Sequence, residues 1–136
     1  MYEVLLEKGL SEIQFGFRPS QVKSILGTEL FYEEWMGGNL ENFLYYQGLL
    51  IGFKGDIENC PTENSFVCMF QVKTIHPVSI WGQEISQATK QEIESLLIAK
   101  NIEYATLSNG SIESADNKLQ FSFNSANTLD EVYFAS

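Results

Sequence analysis

Apolar side chains recur at every second position in several short segments, and this period of two limits the possible folds more than any other feature. Ile13, Phe15 and Phe17 follow it, and it returns in residues 49–53 and 119–123. Successive side chains of a strand point to opposite faces of a sheet, so this pattern indicates strands with one buried face. Polar and glycine-containing turns separate these segments, which predicts antiparallel pairing.

Two other segments have the spacing of short amphipathic helices. Residues 19–26 begin with a proline, carry apolar residues on one side and are followed by Gly27. Proline at the first helical position and glycine after the last one are typical helix boundaries. The second segment has its apolar face at residues 93–97, and Ser86 and Thr89 are both suitable N-caps.

The order of these segments suggests an internal repeat. Ile93 lies 71 residues after Val22, and Leu119 lies 70 residues after Leu49. We therefore predict one domain, residues 1–136, made of pseudo-repeats 1–74 and 75–136 that meet near a proline at position 77.

The opening of the first repeat, residues 15–22 followed by Ile25, Leu26 and Gly27, resembles the units of the β-lactamase-inhibitory-protein architecture. The resemblance covers essentially the whole chain. It implies an α+β fold in which two tandem helix-plus-antiparallel-strand repeats form one curved sheet with the helices on one side. It assigns no site residue.

The chain is acidic, with eight Lys plus Arg against eighteen Asp plus Glu and a net charge of −10 over 136 residues. Nucleic acids and anionic membranes are bound through clusters of Lys and Arg, so this balance argues against both partners. The N-terminus does not have the pattern of a secretory leader, and no apolar run approaches the ~20 residues of a membrane-spanning helix. These features predict a soluble, cytoplasmic protein.

Few residues offer catalytic chemistry. His76 is the single histidine and lies beside a proline, while Cys60 and Cys68 have neither zinc nor redox spacing. Glu33 and Glu34 are adjacent, so in a strand they would point to opposite faces. We predict no catalytic residue, no metal and no cofactor, and hence a protein that is not an enzyme.

Small acidic proteins of this kind are similar, as a class, to bacterial immunity proteins that neutralise toxins. We therefore predict a non-enzymatic, protein-binding inhibitor whose partner is a basic toxin domain, for example a nuclease. Aromatic residues near turns would anchor the partner, and neighbouring acids would steer it. The predicted partner-binding residues are Glu33, Glu34, Trp35, Tyr46, Asp56, Glu58, Met69, Trp81 and Glu84.

A structural or regulatory adaptor is the alternative. If alternation continued unbroken, Leu50, Val67 and Met69 would be apolar residues on the outward face of the sheet. Such a patch would suit self-association, so a homodimer is the second hypothesis.

Overall fold

Strands predominate in the computed structural model, which describes residues 1–28, 42–58 and 60–136. Strands account for 48% and helices for 15% of the described residues. The strands are β1 (Tyr2–Leu5), β2 (Gly9–Leu10), β3 (Ile13–Gln14), β4 (Phe43–Tyr46), β5 (Leu49–Ile57), β6 (Pro61–Lys73), β7 (Val78–Ile80), β8 (Gln83–Glu84), β9 (Tyr104–Thr106), β10 (Ile112–Ser114), β11 (Leu119–Phe123) and β12 (Leu129–Ala135). The helices are α1 (Pro19–Leu26) and α2 (Lys90–Ala99).

The described strands form two sheets. One has five strands in the order β3-β2-β1-β7-β8, and the other has seven in the order β4-β5-β6-β12-β11-β10-β9. Strands β1 and β7 run parallel, while each of the other described pairs is antiparallel. The predicted α+β fold, with tandem helix-plus-strand repeats in one curved sheet, is therefore wrong.

The parallel pairing of β1 with β7 explains the error. Tyr2 lies opposite Val78 and Val4 opposite Ile80. The Tyr2 N–H also donates to the Pro77 carbonyl at 2.9 Å. Strand β1, which precedes α1, thus pairs with β7, which precedes α2. This pairing joins the short strands into a separate sheet. Alternation is a local signal and does not specify which distant strands pair.

The core lies between the two sheets. The ring of Phe15, just after β3, is 5.4 Å from the Phe70 ring of β6 and 5.8 Å from the Phe134 ring of β12. Nearby, the Gly16 N–H donates to the Val67 carbonyl at 2.9 Å. Burial of these aromatic side chains supplies much of the favourable free energy of folding.

Each helix begins where the sequence predicts. Pro19 is the first residue of α1, which ends before Gly27, and its Ser20 N–H donates to Glu63 of β6 at 3.0 Å. Thr89 caps α2 in a reciprocal capping box with Glu92. The buried side chains of both helices belong to the core between the sheets.

A β-bulge breaks the alternation of β6. Gly52 lies opposite Met69, but the next residue, Phe53, lies opposite Val67, so Cys68 is the extra residue. The bulge turns Val67 into the core, where it is 1% exposed, and Leu50 is only 5% exposed. Of the three residues proposed for self-association, Met69 alone is partly exposed.

Candidate functional site

The face of the seven-stranded sheet that points away from the core carries a set of partly exposed side chains. The register aligns Glu113, Gln120, Tyr133 and Gln71 in one row across four neighbouring strands. Aromatic and methionine side chains are enriched in protein interfaces, and this face carries Tyr133 and Met69. We define the open face as Met69, Gln71, Lys73, Glu113, Gln120, Glu131 and Tyr133.

Glu131 makes two polar contacts on the open face. The Gln71 amide donates to one of its carboxylate oxygens, and the Lys73 ammonium is 3.8 Å from the other. Its side chain is only 17% exposed. Burial raises the pKa of Glu131, although the Gln71 hydrogen bond and the Lys73 charge both act to lower it. The carboxylate is therefore poorly solvated and incompletely neutralised.

Tyr133 places an aromatic ring on the same face of β12 as Glu131, two residues further along the strand. Burial is the main cause of its raised pKa, and the negative charges of Cys68 and Glu113 add to it. The phenol is therefore neutral at physiological pH and can donate a hydrogen bond. A rigid aromatic side chain with one polar tip is a common anchor in protein interfaces.

Toward β4, the side chains on this same face of the seven-stranded sheet are buried. Tyr45 and Leu50 continue the row of Gln71, yet each is 5% exposed. The Phe43 ring lies 6.3 Å from the Tyr45 ring. The accessible surface is thus the part formed by β6, β12, β11 and β10.

The predicted partner-binding residues do not gather on one surface. Glu33, Glu34 and Trp35 lie outside the described residues. Tyr46 is 9% exposed and belongs to the core, where its hydroxyl donates to the Gly27 carbonyl at 2.9 Å. Its side chain is therefore not available as a surface anchor. Met69 does lie on the open face.

The other predicted residues lie in two hairpins. Asp56 and Glu58 are exposed at the end of the β5–β6 hairpin. Trp81 and Glu84 belong to the β7–β8 hairpin of the smaller sheet, where Trp81 has a φ of 52°. The Lys100 ammonium lies 5.7 Å from the Trp81 ring centroid, and the half-buried ring packs against the core.

Reasoning from the sequence did not select Glu131, Tyr133, Gln120 or Glu113. For β12 the necessary signal was present, because Val132 and Phe134 alternate as core residues. Their neighbours on either side must then point outward. Gln120 was predictable in the same way, because Leu119 and Phe121 alternate as core residues of β11, whereas Glu113 lies in β10, which is too short to show a period.

The described residues show little of the machinery of catalysis. His76 contacts the Tyr2 ring at 5.0 Å and the Gln47 carbonyl, and a cleft of about 300 Å³ lies beside it. Both cysteines are free, Cys60 exposed and Cys68 half-buried. Within residues 1–28, 42–58 and 60–136, no three His, Cys, Asp or Glu side chains are grouped so that they could hold a metal ion.

The described part of the chain contains no helix that is long and apolar enough to span a membrane. Comparisons with protein-family models, curated proteins and solved structures gave no match.

Proposed function

We propose that this chain is a non-enzymatic inhibitor of the immunity-protein class, which acts in the bacterial cytoplasm by binding a basic toxin domain. The open face is the proposed contact surface. The observation that carries the proposal is a partly exposed tyrosine and a mostly buried carboxylate, Glu131, on one sheet face of a strongly acidic molecule.

The charge distribution supports a basic partner. Four of the eighteen acidic residues lie in residues 29–41, which leaves fourteen in the described ranges against all eight basic residues. Between described residues, Lys73 and Glu131 form the one ion pair. The other described carboxylates make no ion pair with a described base, so their negative charge can attract a cationic surface, which raises the rate of association and orients the partner.

The open face also has the chemistry of an interface centre. It combines one aromatic ring, one thioether and several amide or carboxylate groups on rigid strands. Such groups can bury apolar area while each polar group finds a partner. The Glu131 carboxylate would gain most, since a partner's guanidinium could complete its neutralisation.

The test is to express the chain together with the protein encoded by the adjacent reading frame and to measure binding and growth. We expect a 1:1 complex, relief of toxicity by the chain, and a Tyr133→Ala variant that binds at least ~30-fold more weakly, as expected for an interface hot spot. Gln120→Ala on the open face should weaken binding, whereas Gln14→Ala in the other sheet is the matched control.

Two results would contradict the proposal. One is absence of binding at micromolar concentration to a basic neighbour that is itself toxic. The other is a complex that Tyr133→Ala and Gln14→Ala affect equally, because the open face would then not be the contact surface.

A further inference from the structure

Strand β9 is the last described strand of the seven-stranded sheet, and its outer edge has no described strand beside it. On its inner side it pairs with β10, with Ala105 opposite Glu113. Pairing extends beyond the strand, since the Leu107 N–H donates to Ser111 and the Ala115 N–H donates to Glu103. The backbone of residues 103–107 is therefore paired with the neighbouring strand over its whole length.

The hydrogen-bonding direction alternates along this edge. In an antiparallel ladder, every second residue directs its N–H and C=O toward the neighbouring strand. Residues 103, 105 and 107 face β10, so Tyr104 and Thr106 direct their N–H and C=O groups away from the sheet. Thr106 is exposed and Tyr104 partly so. These four backbone groups are a template for one more strand.

Negative charge surrounds the β9 edge. Residues 101–117 contain Glu103, Glu113 and Asp116 and no basic residue. Glu94 of α2 adds a fourth carboxylate, because it accepts a hydrogen bond from the Tyr104 hydroxyl at 3.2 Å. Of the two flanking bases, Lys100 lies over the Trp81 ring, and Lys118 donates its backbone N–H to Asp116.

The negative charge around the β9 edge determines which kind of chain can pair with it. Proteins usually protect an exposed edge by keeping the strand short or with lysine, proline or a bulge; β9 is short, at three residues, but has no lysine, proline or bulge. A second copy paired along β9 would bring together two edges of the same negative charge, each with its own Glu103, and this repulsion disfavours self-association. An extended segment rich in Lys or Arg would instead be attracted.

We propose that the β9 edge binds a basic, extended segment of a protein partner as an additional antiparallel or parallel strand. The inference deepens the proposed function and rests on it for the choice of a protein partner. The small side chain of Ala105 faces the same side as the open face, so a long cationic side chain of the added strand can pass over it toward Glu113. Edge binding and face binding can therefore belong to one interface.

The test uses an acetylated eight-residue peptide of alternating lysine and valine, added to the ¹⁵N-labelled protein. We expect the Tyr104 and Thr106 amides to exchange with solvent at least fivefold more slowly in its presence. A peptide in which glutamate replaces lysine should give no such protection. Equal protection by both peptides, or by neither, would overturn the proposal.

Thr106→Pro is the discriminating variant, because it removes an outward N–H that the fold does not use and proline is tolerated on edge strands. Thr106→Val, which keeps the N–H, is its matched control. We expect the proline variant to abolish protection of Tyr104 by the lysine peptide and the valine variant to retain it. If the lysine peptide still protects the Tyr104 amide in Thr106→Pro, the β9 edge is not the binding site and the proposal is overturned.

Charge and oligomeric state provide independent readouts. A Glu103→Gln/Glu113→Gln double variant should bind the lysine peptide at least threefold more weakly, even if the proline variant does not fold.

Protection that rises with protein concentration without peptide would mean that a second copy occupies the edge, which contradicts the proposal. If Tyr133→Ala prevents toxin binding while Thr106→Pro does not, the edge proposal fails and the proposed function stands.

Discussion

Glu131 is a residue whose proposed role in binding would come at the expense of stability. Its carboxylate is largely removed from water, and the Gln71 amide and the more distant Lys73 ammonium compensate for this only in part. A poorly solvated charge costs folding free energy unless its partners are complete. The position is therefore better explained by a role on the open face than by a contribution to the stability of the isolated chain.

This explanation predicts that Glu131→Gln stabilises the protein at pH 7, by up to ~1 kcal/mol. The pKa of Glu131 is raised in the folded state, so the folded protein binds the proton more tightly than the unfolded chain. Its favourable contribution is complete below the unfolded pKa and is lost as pH rises through the folded value. Urea unfolding of both proteins between pH 4 and pH 7 measures the difference.

Glu63 is the contrasting control for that experiment. Hydrogen bonds from the Ser20 hydroxyl and N–H lower the pKa of Glu63. Its stabilising contribution is thus present above the unfolded pKa and is lost as pH falls through the folded value. Glu63→Gln should therefore be less stable than the parent at pH 7, with a difference that disappears in acid. Parallel pH dependence in the two variants would contradict both assignments.

At the scale of elements, tight turns hold the short strands of the smaller sheet. Gly9 of β2 has a φ of 148°, and a Cβ built there would lie 2.0 Å from the Ile13 carbonyl oxygen. Because that oxygen belongs to the paired backbone of β3, it cannot move without breaking the hairpin. Glycine is thus required by both the backbone conformation and the close approach of two strands.

We predict that Gly9→Ala destabilises the protein by more than about 2 kcal/mol, since strain and steric overlap act together. Gly110→Ala is the matched control. Gly110 also has a positive φ, 89°, but a Cβ there would meet no atom within 4 Å. It should cost only about 1 kcal/mol, the penalty of the backbone conformation alone. Chemical denaturation measures both values, and equal losses would show that the close approach is unimportant.

The elements themselves were largely predictable from local sequence. Alternation located β5 and β11, and the proline and glycine boundaries located α1. The capping residue of α2, Thr89, was one of two candidates that the sequence offered. Strands β1, β4 and β10 were missed, because they are three or four residues long and have too few positions to show a period.

The candidate site was less predictable than the elements. A bulge at Cys68 reverses the faces of β6 on either side of it, so continued alternation placed Val67 outward when it is in the core. Tyr46 was selected as an aromatic near a turn but is buried. Aromatic residues near strand ends occur both in cores and in interfaces, and only packing separates the two.

At the scale of the whole molecule, the dominant physical property is unbalanced negative charge. The net charge is −10, and between described residues Lys73 and Glu131 form the one ion pair. Repulsion among carboxylates disfavours the compact state, and dissolved salt screens this repulsion. Screening should also weaken attraction to a basic partner.

We therefore expect the free energy of unfolding at pH 7 to increase by roughly 1 kcal/mol between 10 and 300 mM NaCl, where the Debye length falls well below the molecular radius. Urea denaturation at the two salt concentrations checks this. A fall in stability with salt would mean that attraction between opposite charges exceeds repulsion. Association with the basic partner should slow over the same range.

The sequence by itself determined the acidity, the turn and helix boundaries and most of the long strands, because these depend on residue type and on neighbours a few positions away. The tertiary structure alone decided that β1 joins β7 in a second sheet, that a bulge reverses β6, and that Glu131 and Tyr133 share an open face. These outcomes depend on pairing between distant segments. That pairing is selected by the free energy of burying the whole core, and this free energy cannot be read from any single segment.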